Sequence, residues 1–248
     1  MIILKSPREI EQMKKPCRIV AEILNHVAEL VKPGVTTLEL DSLAETLARN
    51  YKARPAFKGY SGYPYSLCCS VNEQVVHGMP SERRLCDGDI LSIDFGVVYS
   101  GFYGDAAVTL PVGIVSEEAN KLMRITEESL YKAIQMAVAG HRLSDISHAV
   151  QVNAEKHGFS VVRDFVGHGI GRSLHESPQI PNFGSPGKGV LLQPGMVLAI
   201  EPMINEKSPE VQILDDGWTA VTRDGALSAH FEHTIAICEG GPEILTEL

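Results

Sequence analysis

Five side chains in this sequence are of types that do chemistry together, and most of them stand where an isolated charge is costly. Asp94 lies within the apolar run ILSIDFGVV, Glu201 within VLAIEPM, Asp105 in GDAAVTL, and Glu232 opens FEHTIAIC. An unpartnered carboxylate in an apolar strand needs compensation. No matching set of lysines or arginines stands nearby in sequence, and bound cations are the other usual answer to clustered carboxylates. Taken singly, each acid reads as ordinary strand-end charge; taken as four strand acids in two matching pairs, they read as a metal site. His168 in FVGHGIG adds an imidazole that its small neighbours leave unobstructed, although alone it would read as a structural hydrogen bonder. Four carboxylates and one imidazole, with no thiolate, suit divalent Mn, Fe, Co or Zn. Two dications balance four carboxylates and leave room for a bridging hydroxide, whereas one ion leaves the site over-charged with anions. Two metals roughly 3.5 to 4 Å apart acidify a bridging water and polarise a carbonyl, which points to amide hydrolysis. His77 in VVHGMP and His175 in RSLHESP occupy Gly- and Pro-rich turns of the kind that surround sites; each alone reads equally well as a loop histidine.

The elements that must position these groups are legible around them. Ser6, Pro7 and Glu9 make a capping box, and Ile10, Met13, Cys17, Val20, Leu24, Val27 and Val31 then recur at helical spacing up to Pro33 and Gly34. Thr36 and Glu39 repeat the signature before Leu40, Leu43, Ala44 and Leu47. FKGYSGYPYSLCCSV reads as an irregular aromatic loop running into a strand, a candidate pocket wall. DILSIDFGVVYSGFYGDAAVTLPV reads as two strands folded at Tyr99, Ser100 and Gly101, and long helices follow from Ser116 to Ala139 and Ser144 to Lys156.

The second half repeats the first. LCDGDILSID, ending at Asp94, aligns with LQPGMVLAIE, ending at Glu201, through Leu-x-x-Gly-x-x-Leu-x-Ile and an acid; Gly34 matches Gly140 ahead of a helix in each half. Each repeat then supplies a second strand acid, Asp105 or Glu232. An approximate two-fold axis would aim all four at one point. With no linker-like segment between them, the expectation is a single α/β domain over residues 1–248, built of repeats at about 6–112 and 116–240.

Composition removes other classes. Thirty-one acids against 22 bases give a net charge of -9, with no basic field to attract nucleic acid or anionic lipid. Cys17, Cys68, Cys69, Cys86 and Cys238 are odd in number and form no CxxC, which argues against a disulfide framework and a thiolate zinc site and fits a reducing cytoplasm. Lys5 interrupts the N-terminus before a signal peptide's apolar core could form, and no run approaches the roughly 18 apolar residues of a membrane span.

VNEQVVHGMP, DFG followed by GFYGD, GHGIGRSLHESPQI, AIEPM and FEHT together resemble the type I methionine aminopeptidases, in their short bacterial form, almost end to end. The resemblance implies the pita-bread fold, two pseudo-symmetric halves around a curved antiparallel sheet covered by helices. It implies that Asp94 chelates one metal, that His168 and Glu201 bind the other, and that Asp105 and Glu232 bridge both. His77 and His175 would contact the scissile amide and stabilise the oxyanion, and Glu201 would shuttle a proton. Phe57, Tyr60, Tyr63, Cys68, Leu174 and Trp218 would line the methionine pocket, whose soft apolar walls suit a thioether. Leu174 departs from the aromatic residue of many relatives, which bears on pocket size. The implied substrate is the N-terminal methionine of nascent polypeptides with a small second residue. The protein would work as a monomer with at most a transient ribosome contact. The alternatives are an X-Pro aminopeptidase or dipeptidase on the same fold, whose members usually carry a further N-terminal domain, and a non-catalytic peptide-binding module, whose mark would be a missing ligand.

Overall fold

Ser6 and Thr36 start the first two helices as their side chains require. In the computed structural model, which describes residues 2–247, the Ser6 hydroxyl accepts the Glu9 N–H at 3.3 Å and Glu9 accepts the Ser6 N–H at 3.0 Å. Thr36 and Glu39 make the same exchange at 3.1 and 2.7 Å. Donors that a helix start leaves orphaned are thereby satisfied, and α1 (Pro7–Ala28) and α2 (Thr37–Asn50) follow. α1 ends at Ala28, before the stop expected at Pro33 and Gly34; Val31 packs on the same core from the connecting loop. In the second half, the Ser116 hydroxyl accepts the Ala119 N–H at 3.1 Å to open α3 (Glu117–Met136), and α4 (Leu143–Lys156) comes next.

The main sheet has nine strands among the described residues, and its pairings are antiparallel. Its path runs Arg54–Pro55, Ile90–Tyr99, Phe102–Pro111, Glu232–Cys238, Val197–Ile200, Val166–Gly169 and Glu176–Pro181; Cys68–Val71 adds beside Ile90–Tyr99, and Gly241–Ile244 beside Glu232–Cys238. Strands of the two sequence halves therefore meet at the middle, where Phe102–Pro111 pairs with Glu232–Cys238. Of two smaller sheets, one joins Gln74–Val76 to Ala220–Thr222 and Val211–Ile213 and so sets the approach to His77.

Each half has its own apolar core under its own helix pair. Ile19, Ile23, Leu40, Leu91, Ile93 and Phe95 pack together in the first, and Leu122, Ile125, Ile146, Val150, Leu198 and Ile235 in the second. The turn before each acid-bearing strand uses a left-handed glycine, Gly88 at φ 95° and Gly195 at φ 93°, a conformation that side chains resist. Asp94 and Glu201 each lie six positions beyond that glycine, so the halves deliver them at the same phase. α1 presses closely on the central strand: a Cβ on Gly104 would fall 2.7 Å from the Cys17 nitrogen and 2.8 Å from the Pro16 carbonyl carbon. The residue after that contact is Asp105. No helix among the described residues is long and apolar enough to cross a membrane.

Candidate active site

Strand register decides which acids can meet. Residues directly opposite in antiparallel strands share a face, and so do residues two apart on one strand. Asp94 and Glu232 both stand opposite Ala107, and Asp105 is two positions from Ala107, so the three share a face. Ala199 stands opposite both His168 and Thr234; Thr234 is two positions from Glu232, and Glu201 is two beyond Ala199. All five predicted ligands thus fall on one side of the sheet.

They line one cavity of about 300 Å³. Donor atoms of Asp105, His168 and Glu232, all buried, lie within 4.8 Å of one another. The His168 Nε2 is 3.5 Å from Glu201 Oε1. Its Nδ1 lies 2.9 Å from the Gly169 carbonyl, which requires the proton on Nδ1 and leaves the Nε2 lone pair facing the acids. Burial pushes the Asp94 carboxyl up to about 7, although His230 opposes the shift, and the Glu201 carboxylate adds to it. Burial likewise holds Asp105, Glu201 and Glu232 well above the usual carboxylate range, their mutual repulsion adding to it at Asp105 and Glu232. Burial lowers His168 to about 4. Asp94 Oδ1, Asp105 Oδ1 and Glu232 Oε1 are buried without hydrogen-bond partners. Unpartnered oxygens, an imidazole with a free ring nitrogen and, among the described lining residues, no lysine or arginine fit divalent cations.

The other predicted residues line the same cavity: His77, His175, Phe57, Tyr60, Tyr63, Cys68, Leu174 and Trp218. His77 sits at φ 59°, a strained left-handed conformation, directly before Gly78. Its ring packs edge-on to Phe165 and Trp218, at 5.4 and 6.2 Å between centroids, and burial lowers it to about 4, so it is neutral near pH 7. His175, exposed on the rim, places Nδ1 2.7 Å from the Tyr60 hydroxyl and its ring 4.4 Å from that of His168. Tyr63 packs 5.2 Å from Trp218, and its hydroxyl donates to the Leu67 and Gly78 carbonyls at 3.2 and 3.0 Å.

Sequence reasoning missed Val76, Phe165 and Met203 in the apolar wall, Ser61 and Asp164 in the lining, and the buried His230. The His230 Nε2 lies 3.6 Å from Glu201 Oε2 and has no hydrogen-bond partner, so the Glu201 carboxylate stands between two imidazoles. His230 precedes Glu232 by two positions in an extended segment, a spacing that could have flagged it. The apolar three carry no local signal.

The chain matches metallopeptidase family M24 over residues 11–239. It is 58% identical to a methionine aminopeptidase of Clostridium perfringens over 99% of each chain. It is 54% identical to methionine aminopeptidase 1 of Bacillus subtilis over 100% of each. A solved methionine aminopeptidase from Thermotoga maritima, 53% identical, superposes with a TM-score of 0.98 over 100% of both chains. Carboxylates on one face of an antiparallel sheet whose other face carries both helix pairs, together with these full-length similarities, agree: the chain belongs to metallopeptidase family M24, with its pita-bread fold, on the methionine aminopeptidase branch.

Proposed function

We propose that this protein is a metal-dependent aminopeptidase that removes the N-terminal methionine of nascent polypeptides when the second residue is small. The observation that carries the reading is one cavity with two unlike sets of lining groups. Four carboxylates, those of Asp105 and Glu232 buried, and His168 share it with Phe57, Tyr60, Tyr63, Cys68, Leu174 and Trp218. An apolar slot beside a hydrolytic centre suits a single uncharged terminal side chain, and sulfur against aromatic rings suits methionine in particular.

In this reading Asp94, Asp105, His168, Glu201 and Glu232 would hold two divalent ions. Co, Mn, Fe and Zn all suit the donors. When bound, such ions supply Lewis acidity and ionise water near neutral pH. The chain's own groups do the rest. His77, neutral and held between Phe165 and Trp218, donates to the scissile amide. The Tyr60 hydroxyl donates to His175 Nδ1, which leaves the Nε2–H to stabilise the oxyanion. Glu201, standing between the His168 and His230 imidazoles, takes a proton from the attacking water and returns it to the leaving amine. Leu174, buried at 2% exposure among Met13, Ile170 and Val197, sets the depth of the slot.

The chain acts as one catalytic domain of two repeats, about 6–112 and 116–240, supported by the matching glycine turns and helix caps. Five free cysteines support a reducing cytoplasm, and the net charge of -9 supports a monomer with at most transient ribosome contact. The test is amino-acid release by metal-stripped protein, with and without added Co or Mn, from Met-Ala-Ser and Ala-Pro-Ser peptides. Metal-dependent release of methionine from the first alone is the expected result. Cleavage before proline would replace the reading with an X-Pro enzyme, and release from neither would replace it with a binding module.

A further inference from the structure

Near the cavity lies an ion pair that the chemistry above does not use. Lys5 Nζ meets Glu176 Oε2 at 2.5 Å, with side chains only 4% and 8% exposed. Lys5 is further tied by its N–H to the Gly195 carbonyl at 2.7 Å and by Nζ to the Ile3 carbonyl at 3.2 Å. The other Glu176 oxygen, Oε1, accepts the backbone N–H groups of Arg172 and Ser173 at 2.8 and 3.1 Å. Glu176 follows His175 directly, and residues 171–175 form a run of bends with no strand pairing of their own. One carboxylate therefore closes the loop that carries His175, and one lysine from the N-terminal segment neutralises that carboxylate where water does not reach it.

A separate observation points the same way. A Cβ on Gly171 would fall 2.4 Å from Lys5 Cε and 2.8 Å from Glu176 Oε1, so the loop leaves out a side chain where the lysine passes. Arg172 completes the seam, with its guanidinium 3.1 Å from Glu9 of α1 and stacked 4.3 Å over Phe102.

We infer that Lys5 and Glu176 form a clamp by which the N-terminal segment positions His175 at the cavity rim. Both are positioning residues, and the inference rests on the catalytic reading of His175. Without the lysine, the carboxylate is a lone buried charge and turns to water. The Arg172 and Ser173 N–H groups then lose their acceptor, the loop loosens, and His175 leaves its place beside His168 and Tyr60. A displacement of about 1 Å at a catalytic group is enough to lower turnover by up to about a hundredfold.

The test uses the full-length, metal-loaded protein with Met-Ala-Ser. Lys5→Met should lower kcat by about tenfold to a hundredfold, with KM within about threefold and metal content as in the parent. Gly171→Ala, which displaces the lysine tip while keeping both charges, should move kcat the same way. Lys5→Met combined with Glu176→Gln keeps an acceptor for the two N–H groups and leaves no lone charge, so it should regain most of the loss. In a His175→Ala background, Lys5→Met should add less than about twofold, because the clamp acts through that ring. Parent-like kcat in both Lys5→Met and Gly171→Ala, or a full further loss in the His175→Ala background, would overturn the clamp. If Lys5→Met does not fold, Gly171→Ala and the double variant decide. Parent activity in His175→Ala would instead overturn the catalytic reading beneath it.

Discussion

Removing metal should give the protein a stability that falls as pH rises above neutrality. In the metal-free fold burial holds the Asp94 carboxyl up at about 7 and those of Asp105, Glu201 and Glu232 well above their ordinary values. The unfolded chain ionises all four near pH 4. A group raised on folding contributes stability that is whole below its unfolded pKa and is lost as pH climbs through its folded one. The histidines act oppositely. His77, His168 and His233 are lowered to about 4 by burial, and burial also lowers His230. Their contribution is present above the unfolded value of about 6.5 and is lost as pH falls towards 4. The two effects oppose one another until the unfolded histidines have lost their protons, about one pH unit above 6.5, so the clean window lies above about pH 7.5, where the raised Cys17, Cys68 and Cys69 thiols act in the same direction as the carboxyls. Each carboxyl still protonated there accounts for about 1.4 kcal/mol per pH unit. From pH 7.5 to 8.5 one such group amounts to about 1.4 kcal/mol, a fall of roughly 3–6 °C in Tm for a chain of this length. With Mn or Co bound the carboxylates are ionised in the fold and metal uptake releases protons, so stability holds or rises over the same interval. Scanning calorimetry of EDTA-treated and Mn-loaded protein from pH 7.5 to 8.5 checks this. Glu232→Gln, with one titrating group fewer, should decline less steeply when stripped. A stripped wild-type Tm that is flat or rising across the window refutes the reasoning.

Asp105→Ala and Glu232→Ala should each reduce metal-dependent methionine release to background, because each removes a buried donor from the cluster whose atoms lie within 4.8 Å of one another; near-normal release with metal supplied would sink the dinuclear assignment. His77→Ala should keep most of its metal by elemental analysis while kcat falls by about 10²- to 10³-fold, the usual effect of removing one transition-state donor. Metal loss in that variant would mean that His77 acts as a ligand. Gly78→Ala would place a Cβ 2.3 Å from the Cys69 carbonyl oxygen and 2.8 Å from Ser70 Cα, both backbone atoms that cannot step aside singly. The expected cost is about 1–3 kcal/mol in calorimetry, together with lower kcat because His77 is the adjoining residue. A parent-like Tm and kcat would show that this backbone yields freely.

The ligands were legible because a charge in an apolar strand is conspicuous and because the repeat supplies each acid twice. Their meeting was legible only in part. Nothing local to GDAAVTL and FEHTIAIC says that Glu232 will stand opposite Ala107, as Asp94 does. That register belongs to the contact between halves more than a hundred residues apart. The pocket wall is harder still. Phe57, Tyr60, Tyr63, Cys68, Leu174 and Trp218 were reached through family resemblance, and Val76, Phe165 and Met203 were missed, since an apolar residue beside a cavity looks in sequence like one in a core. Lys5 read only as a charge that ends an apolar N-terminus, yet it is buried, because its partner Glu176 lies 171 positions away. Helix starts were read closely where caps exist, at Ser6, Thr36 and Ser116. The end of α1 was not: the period that includes Val31 reflects burial, and burial continues into the loop after the helix stops.

The register that makes the site also works against the fold that carries it. Placing Asp94, Asp105, Glu201 and Glu232 on one face puts four acids where water does not compensate them, and three of their oxygens lack any hydrogen-bond partner. Ordinary stabilising substitutions, amides or apolar residues of similar volume, would relieve that conflict in the metal-free protein. The paired cores beneath α1 and α2 and beneath α3 and α4 supply the apolar burial that lets the sheet hold the acids in place before any cation arrives. A preformed donor set binds without the entropy of assembling four strands and a turn, so the strain in the metal-free fold and the affinity of the site arise from the same geometry. Variants that relax the first should therefore weaken the second, and the Glu232→Gln protein allows both to be measured in one molecule.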